Sequence, residues 1–206
     1  MVYFYDSAPL GVARKYQLVT GKDKFENDML IKWGYKELNY VWFHADKYSS
    51  GHVYLKLQHD EKSLEEVPPE VINDCLQLCK SMSIQGNKMN QCTIIHTPWT
   101  NLRKNKFMKP GEVSFKSLQR VRRMESFARD QPLLNRLTKT RVELAENVEE
   151  ILHHAKKTKD GDFFLRHIDD NRGRLIEEAQ LRKQAKKQKK KQEQREDIDE
   201  EGDLLR

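Results

Sequence analysis

The segment YVWFHADKYSSGHVYLKL, residues 40–57, constrains the fold of this chain more than any other. Tyr40, Trp42 and His44 alternate with Val41, Phe43 and Ala45, so in an extended strand each trio shares one face. The second trio is apolar and fit for a core, while the first is aromatic and polar. Ser49-Ser50-Gly51 supplies a turn, and His52 leads into a second strand of the same pattern. Two readings of the ring-bearing face stay open. Trp42, His44 and His52 are stacking groups for an unpaired polynucleotide, or Trp42 and His44 are ordinary half-buried strand residues, because strands are rich in aromatics.

The rest of the chain divides by pattern around this hairpin. Residues 2–5 (VYFY) and 13–21 (ARKYQLVTG) read as strands, and Asp23 can cap a helix through Phe25, Met29, Leu30 and Trp33 that stops at Gly34. Pro68 and Pro69 open a second helix. Val71, Ile72, Cys75, Leu78, Cys79 and Met82 recur along it at helical spacing, which makes it the helix that crosses the sheet. CTIIHT at 92–97, GEVSF at 111–115 and QRVRRMESF at 119–127 complete the strands, punctuated by Pro98 and the Lys109-Pro110-Gly111 turn. The expected class is α+β: a mixed, mainly antiparallel sheet with helices packed on one face, followed by a C-terminal helical or coiled-coil extension.

Three regions are expected. Residues 1–127 form the domain. In residues 132–181 Leu134, Leu137, Leu144, Val148, Ile151 and Ala155 repeat with a 3,4 spacing broken at Arg141, which predicts a helix of about 25 residues, then a break at Lys159-Asp160-Gly161-Asp162 and a second helix from Phe163. Residues 182–206, RKQAKKQKKKQEQR followed by an acidic block, have nothing to bury and read as a solvated helix fading into a disordered tail.

Composition sets limits. With 37% hydrophobic and 34% charged residues the chain is a globular part diluted by a polar extension. The net charge of +6 makes polyanions plausible partners, and the lysine run can meet phosphates without reading sequence. Cys75, Cys79 and Cys92 form an odd set without a CxxC pair, and no signal sequence opens the chain. A reducing cytoplasmic setting is expected, with the nucleus as alternative. No run is long and apolar enough for a membrane span. The cysteines at 75 and 79 lie on an apolar helical stripe and read as core rather than metal ligands. No phosphate loop, zinc-protease helix or nucleophile elbow is present, so neither an enzyme nor a cofactor is expected.

Binding candidates remain. Lys22 and Lys24 sit at the entry of the first helix, where backbone N–H groups also favour an anion, and Asn27 is either a further contact or a local cap. The hairpin adds Trp42, His44, Lys47, Ser50 and His52. Lys88, then Arg103, Lys104 and Lys106 in the loop after Trp99, form a second cationic patch, with Trp99 itself read as pinning the loop to the core. Arg120 and Arg122 share one face of the last strand and are placed with the binding surface. Imidazoles titrating near pH 6.5 would strengthen RNA binding in mild acid.

GKDKFENDMLIKWG, VWFHADKYSSGHVYL, SIQGNKMN and IIHTPWTNLRKN, in this order, resemble the family of coiled-coil domain-containing protein 25. Over residues 1–127 the chain resembles the NFACT-R domain, an RNA-binding module shared with the larger NFACT proteins of ribosome-associated quality control. It departs from that pattern at Tyr40, where an acidic residue is usual, and at Ser49-Ser50-Gly51-His52, where Pro-Gly-Ser-His is common. The resemblance implies a non-catalytic protein binding structured RNA, tRNA or rRNA, in a translation or ribosome-associated setting. DNA is an alternative ligand. A coiled-coil scaffold that recruits a protein partner is an alternative function.

Overall fold

The structure, a computed structural model, describes residues 1–204, with side chains through 192 and at 194. β1 (Val2–Ser7) and β2 (Tyr16–Gly21) form an antiparallel pair. α1 (Lys24–Trp33) starts where the Asp23 carboxylate accepts the N–H groups of Phe25 and Glu26, and it ends at Gly34. The hairpin of β3 (Tyr40–Ala45) and β4 (Val53–Lys56) comes next, then α2 (Pro69–Ser81), opened by the proline pair. β5 (Cys92–Pro98), β6 (Leu102–Arg103), β7 (Ser114–Phe115) and β8 (Arg122–Ser126) follow. After them come α3 (Gln131–Thr140), β9 (Val142–Leu144), α4 (Val148–Thr158) and α5 (Phe163–Leu204).

Seven strands form one sheet in the order β8-β5-β3-β4-β2-β1-β9, and every pairing in it is antiparallel; β6 and β7 pair separately. The α+β class is therefore as expected. One face carries Val41, Phe43, Ala45, Val53 and Leu55 against Val71, Cys75 and Cys79 of α2 and Leu134 and Leu137 of α3. Burying each such large aliphatic or aromatic side chain contributes roughly 1.5–3 kcal/mol. The three cysteines are buried and unbonded, and burial pushes the Cys79 thiol up to about 12. Asp74 on α2 is fully buried, yet Arg136 of α3 holds both its oxygens, at 2.6 and 3.0 Å, and the Ser7 hydroxyl donates to it at 2.6 Å. A buried charge satisfied this fully ties α2, α3 and β1 together.

Two features differ from the sequence expectation. Residues 132–158 are two helices with a strand between them, not one long helix, because Val142–Leu144 pairs with the free edge of β1 in the register Val2↔Leu144, Phe4↔Val142. An unpaired edge and two β-branched residues near the junction, Thr140 and Val142, outweigh the leucine spacing. Leu134, Leu137 and Leu144 are consequently buried inside a compact unit that runs from Met1 to Asp169. Helices also cover part of the opposite face: Leu30 of α1, Leu152 of α4 and Phe164 of α5 surround Tyr40 and Tyr54. That cover stops short of the β3–β4 turn, and the cleft described below lies there.

The second unit, residues 170–206, is helical as far as Leu204. Arg174 pairs with Glu178 one turn on, Ile176 and Leu181 are exposed, and the lysine run follows. The side chains of the acidic block at 196–203 lie outside the described residues.

Candidate nucleic-acid interface

The alternation of β3 turns Tyr40, Trp42 and His44 away from α2, and the β3–β4 register continues past Phe43↔Val53 to set His44 beside His52. Trp42 stacks on His44, with centroids 5.5 Å apart and planes 6° apart, and meets His52 and Phe115 edge-on at 5.3 and 5.8 Å. The indole is only 1% exposed. It is thus the floor of the site and not an open stacking platform. Phe115 is brought over it by the short β6–β7 ribbon.

Burial disfavours the charged form of both imidazoles. His52 Nε2–H donates to the Gly111 carbonyl at 3.1 Å, and burial, helped by neighbouring His44, lowers the His52 pKa to about 3. Burial also lowers the pKa of His44, whose Nδ1–H donates to the Ala45 carbonyl at 2.7 Å. Acid strengthening of RNA binding through His52 is therefore not expected; a buried imidazolium has lost its water. Ser50 is a hairpin brace: its hydroxyl accepts from the Ala45 N–H at 3.0 Å and donates to the Gly51 carbonyl at 3.1 Å.

A cleft of about 880 Å³ opens above these rings. Lys22 and Lys24 from the entry of α1, Lys47 from the hairpin turn and Lys109 from the β6–β7 connection all line it and are exposed. Asp23, Asp46 and Glu112 line it too, but each is engaged: Asp23 caps α1, Asp46 holds Arg123 at 3.0 Å and Glu112 accepts the Lys109 N–H at 3.1 Å. Asn27 is 4% exposed and lines the cleft beside Gly21, where a Cβ would stand 2.4 Å from Asn27 Oδ1. Glycine is what lets α1 approach β2 this closely.

Eight sequence candidates thus converge: Lys22, Lys24, Asn27, Trp42, His44, Lys47, Ser50 and His52. The others do not line this cleft. Lys104 spends its three N–H groups on Asp28 and on the carbonyls of Lys109 and Glu112, at 2.8, 2.7 and 2.9 Å, so it staples the 104–112 loop to α1. Arg103 and Lys106 are exposed beyond it, with Lys106 Nζ 5.1 Å from the Phe107 ring. Trp99 packs against Gly34, where a Cβ would stand 2.4 Å from the indole, consistent with pinning the loop. Lys88 is exposed in the 86–88 turn.

The two arginines chosen on the last strand are corrected by register. Arg120 lies in a turn before β8, and Arg122 pairs with His96, on the α2 side of the sheet. Arg123 pairs with Ile95, which lines the cleft, so Arg123 shares the cleft face. Sequence reasoning also missed Lys109 and Phe115, although the Lys109-Pro110-Gly111 turn was visible as punctuation. Only the tertiary fold brings that turn to His52.

A cationic cleft with a ring-built floor on an antiparallel sheet defines a nucleic-acid-binding class of domain. Residues 1–117 match the family described as "NFACT protein RNA binding domain", and the chain belongs to this family, together with the proteins named coiled-coil domain-containing protein 25. It is 69% identical to Protein JLP2 of Saccharomyces cerevisiae, over 90% of this chain and 89% of that one. It is 43% identical to coiled-coil domain-containing protein 25 of Mus musculus, over 69% of this chain and 67% of that one. Among solved structures, the C-terminal part of the fibronectin/fibrinogen-binding protein from Streptococcus suis superposes with a TM-score of 0.51 at 21% identity. That match covers 68% of this chain and 49% of the other, and it shows likeness of fold alone.

Proposed function

We propose that this chain is a non-catalytic RNA-binding protein of the cytoplasm that grips structured RNA, tRNA or rRNA, in a translation or ribosome-associated setting. The observation that carries the reading is the convergence of Lys22, Lys24, Lys47 and Lys109, from three separate stretches of sequence, on one cleft. Four ammonium groups at one opening suit a phosphate backbone. Membership of a family described as RNA-binding supports RNA as the polyanion. The lysine run at 186–191 can by itself meet phosphates without sequence preference.

The test is crosslinking to RNA in cells followed by sequencing, for the wild type, a Lys22→Gln/Lys24→Gln/Lys47→Gln variant, and a variant with the lysines of 186–191 changed to glutamine. Enrichment of tRNA or rRNA that the cleft variant loses and the tail variant keeps is the expected result. Crosslinking that survives in the cleft variant and vanishes in the tail variant would make the helix the binder and the sheet domain a scaffold.

A further inference from the structure

Three buried side-chain atoms on residues lining the cleft have no hydrogen-bond partner: Asn27 Oδ1, Trp42 Nε1 and His52 Nδ1. Their residues are 4%, 1% and 1% exposed. Leaving such an atom unpaired costs about 1–3 kcal/mol, so three at one site ask for a ligand-side explanation. Their chemistry is mixed. Trp42 Nε1–H can only donate, and His52 Nδ1 is an acceptor because the other ring nitrogen carries the proton given to Gly111. Asn27 Oδ1 accepts.

A phosphate cannot satisfy this set. The phosphodiester of an RNA backbone has no hydrogen for His52 Nδ1 or Asn27 Oδ1, and its natural place is the lysine rim. The edge of a nucleobase presents adjacent donors and acceptors and a flat ring, and aromatic walls are what such a ring stacks on. In the free protein the half-exposed Phe115 ring stands edge-on to the indole, and the three atoms are shut off from water.

We infer, on the basis of the RNA-binding reading above, that the cleft takes one unpaired nucleotide, its base edge bonded by Asn27, Trp42 and His52 and its phosphates held by the lysine rim. In a duplex the Watson–Crick edges are occupied, so the target is a loop, bulge or strand end. The helical stem of an RNA is not what the cleft recognises.

The experiment uses the full chain and three fluorescein-labelled RNA probes with equal phosphate counts: a stem-loop, the same stem-loop with abasic loop positions, and a blunt duplex. Expected is a stem-loop affinity about tenfold or more above the other two, the scale of a single captured base. Trp42→Phe, which keeps an aromatic ring and removes the donor, and Asn27→Ala should each remove severalfold of that advantage, read as the ratio of stem-loop to duplex affinity. Circular dichroism and thermal melting check that the variants fold. If they do not, the three wild-type affinities decide alone. Equal affinity for all three probes, or an abasic loop as good as the intact one, overturns the inference and leaves phosphate-driven RNA binding standing. Failure to bind any probe at low salt overturns the RNA-binding reading itself.

Discussion

The two faces of the central sheet are built on opposite principles. Towards α2, Val41, Phe43, Ala45, Val53 and Leu55 meet Val71, Cys75 and Cys79, and the charge of Asp74 is satisfied by Arg136 and Ser7. Towards the cleft, Trp42 and His52 are as deeply buried, yet each has an unpaired polar atom. Burial alone therefore does not separate scaffold from site. What sets the cleft apart is that three such atoms, Asn27 Oδ1, Trp42 Nε1 and His52 Nδ1, belong to residues lining one opening, where a ligand can complete their bonds.

The largest effect belongs to the first face. Phe43→Ala removes a ring with no exposure from the core and is expected to cost about 3–5 kcal/mol in urea denaturation, with the salt dependence of RNA binding unchanged in the protein that remains folded. A variant that instead altered the salt slope would show that the faces are not independent.

The histidines give the next effect. Unfolded, His52 and His96 titrate near pH 6.5; folded, burial lowers them to about 3 and about 4, with Arg122 also acting on His96. Below about pH 6.5 the unfolded chain takes up protons that the folded chain refuses. Stability is thus full above that pH and falls as the pH drops towards the folded values. His52 alone accounts for about 2 kcal/mol lost between pH 7 and 5, and His96 adds in the same direction. Denaturation at the two pH values checks this, and His52→Phe should flatten the slope. RNA affinity is expected to be flat between about pH 5.5 and 8 as far as His52 is concerned, since its charge does not change there.

Gly21→Ala sharpens the comparison from the cleft side. The added methyl would press on Asn27 Oδ1 and, at 2.7 Å, on the Asn27 backbone nitrogen, so α1 must shift from β2. About 1–3 kcal/mol of stability should be lost, with a drop in RNA affinity that no core substitution of equal stability cost produces. The smallest stability effect is at the rim. Lys22→Ala, Lys24→Ala and Lys47→Ala are each expected to leave stability within about 0.5 kcal/mol while lowering the slope of log affinity against log salt by about 0.7. A salt slope that ignores all three lysines would break the assignment of the rim to phosphates.

Much of the fold was legible because its signals are local. The alternation of 40–45, the Asp23 cap and the proline-opened stripe of α2 each lie within one element, and each forms where expected. Lys22, Asn27, Trp42 and His52 were named one by one, from the helix entry and the hairpin pattern, and that all four line one cleft is a property of the fold. The leucines of 134–144 misled because helical spacing competes with an open sheet edge, and the edge of β1 is not visible in the segment that fills it. Arg122 was put on the wrong face for a similar reason: the face of a strand is fixed by its partner's register, which Ile95 and His96 set.

By itself, the sequence determined the alternation of β3, the Asp23 cap of α1 and the proline-opened start of α2. Spacing and capping act over a few residues, so they can be read without the fold. Tertiary structure alone decided that Trp42 is a floor and not a platform, that Lys104 is a staple and that Lys109 and Phe115 join the site. Each of those depends on which distant segment covers a given side chain. Burial, desolvation and hydrogen-bond satisfaction are properties of that covering.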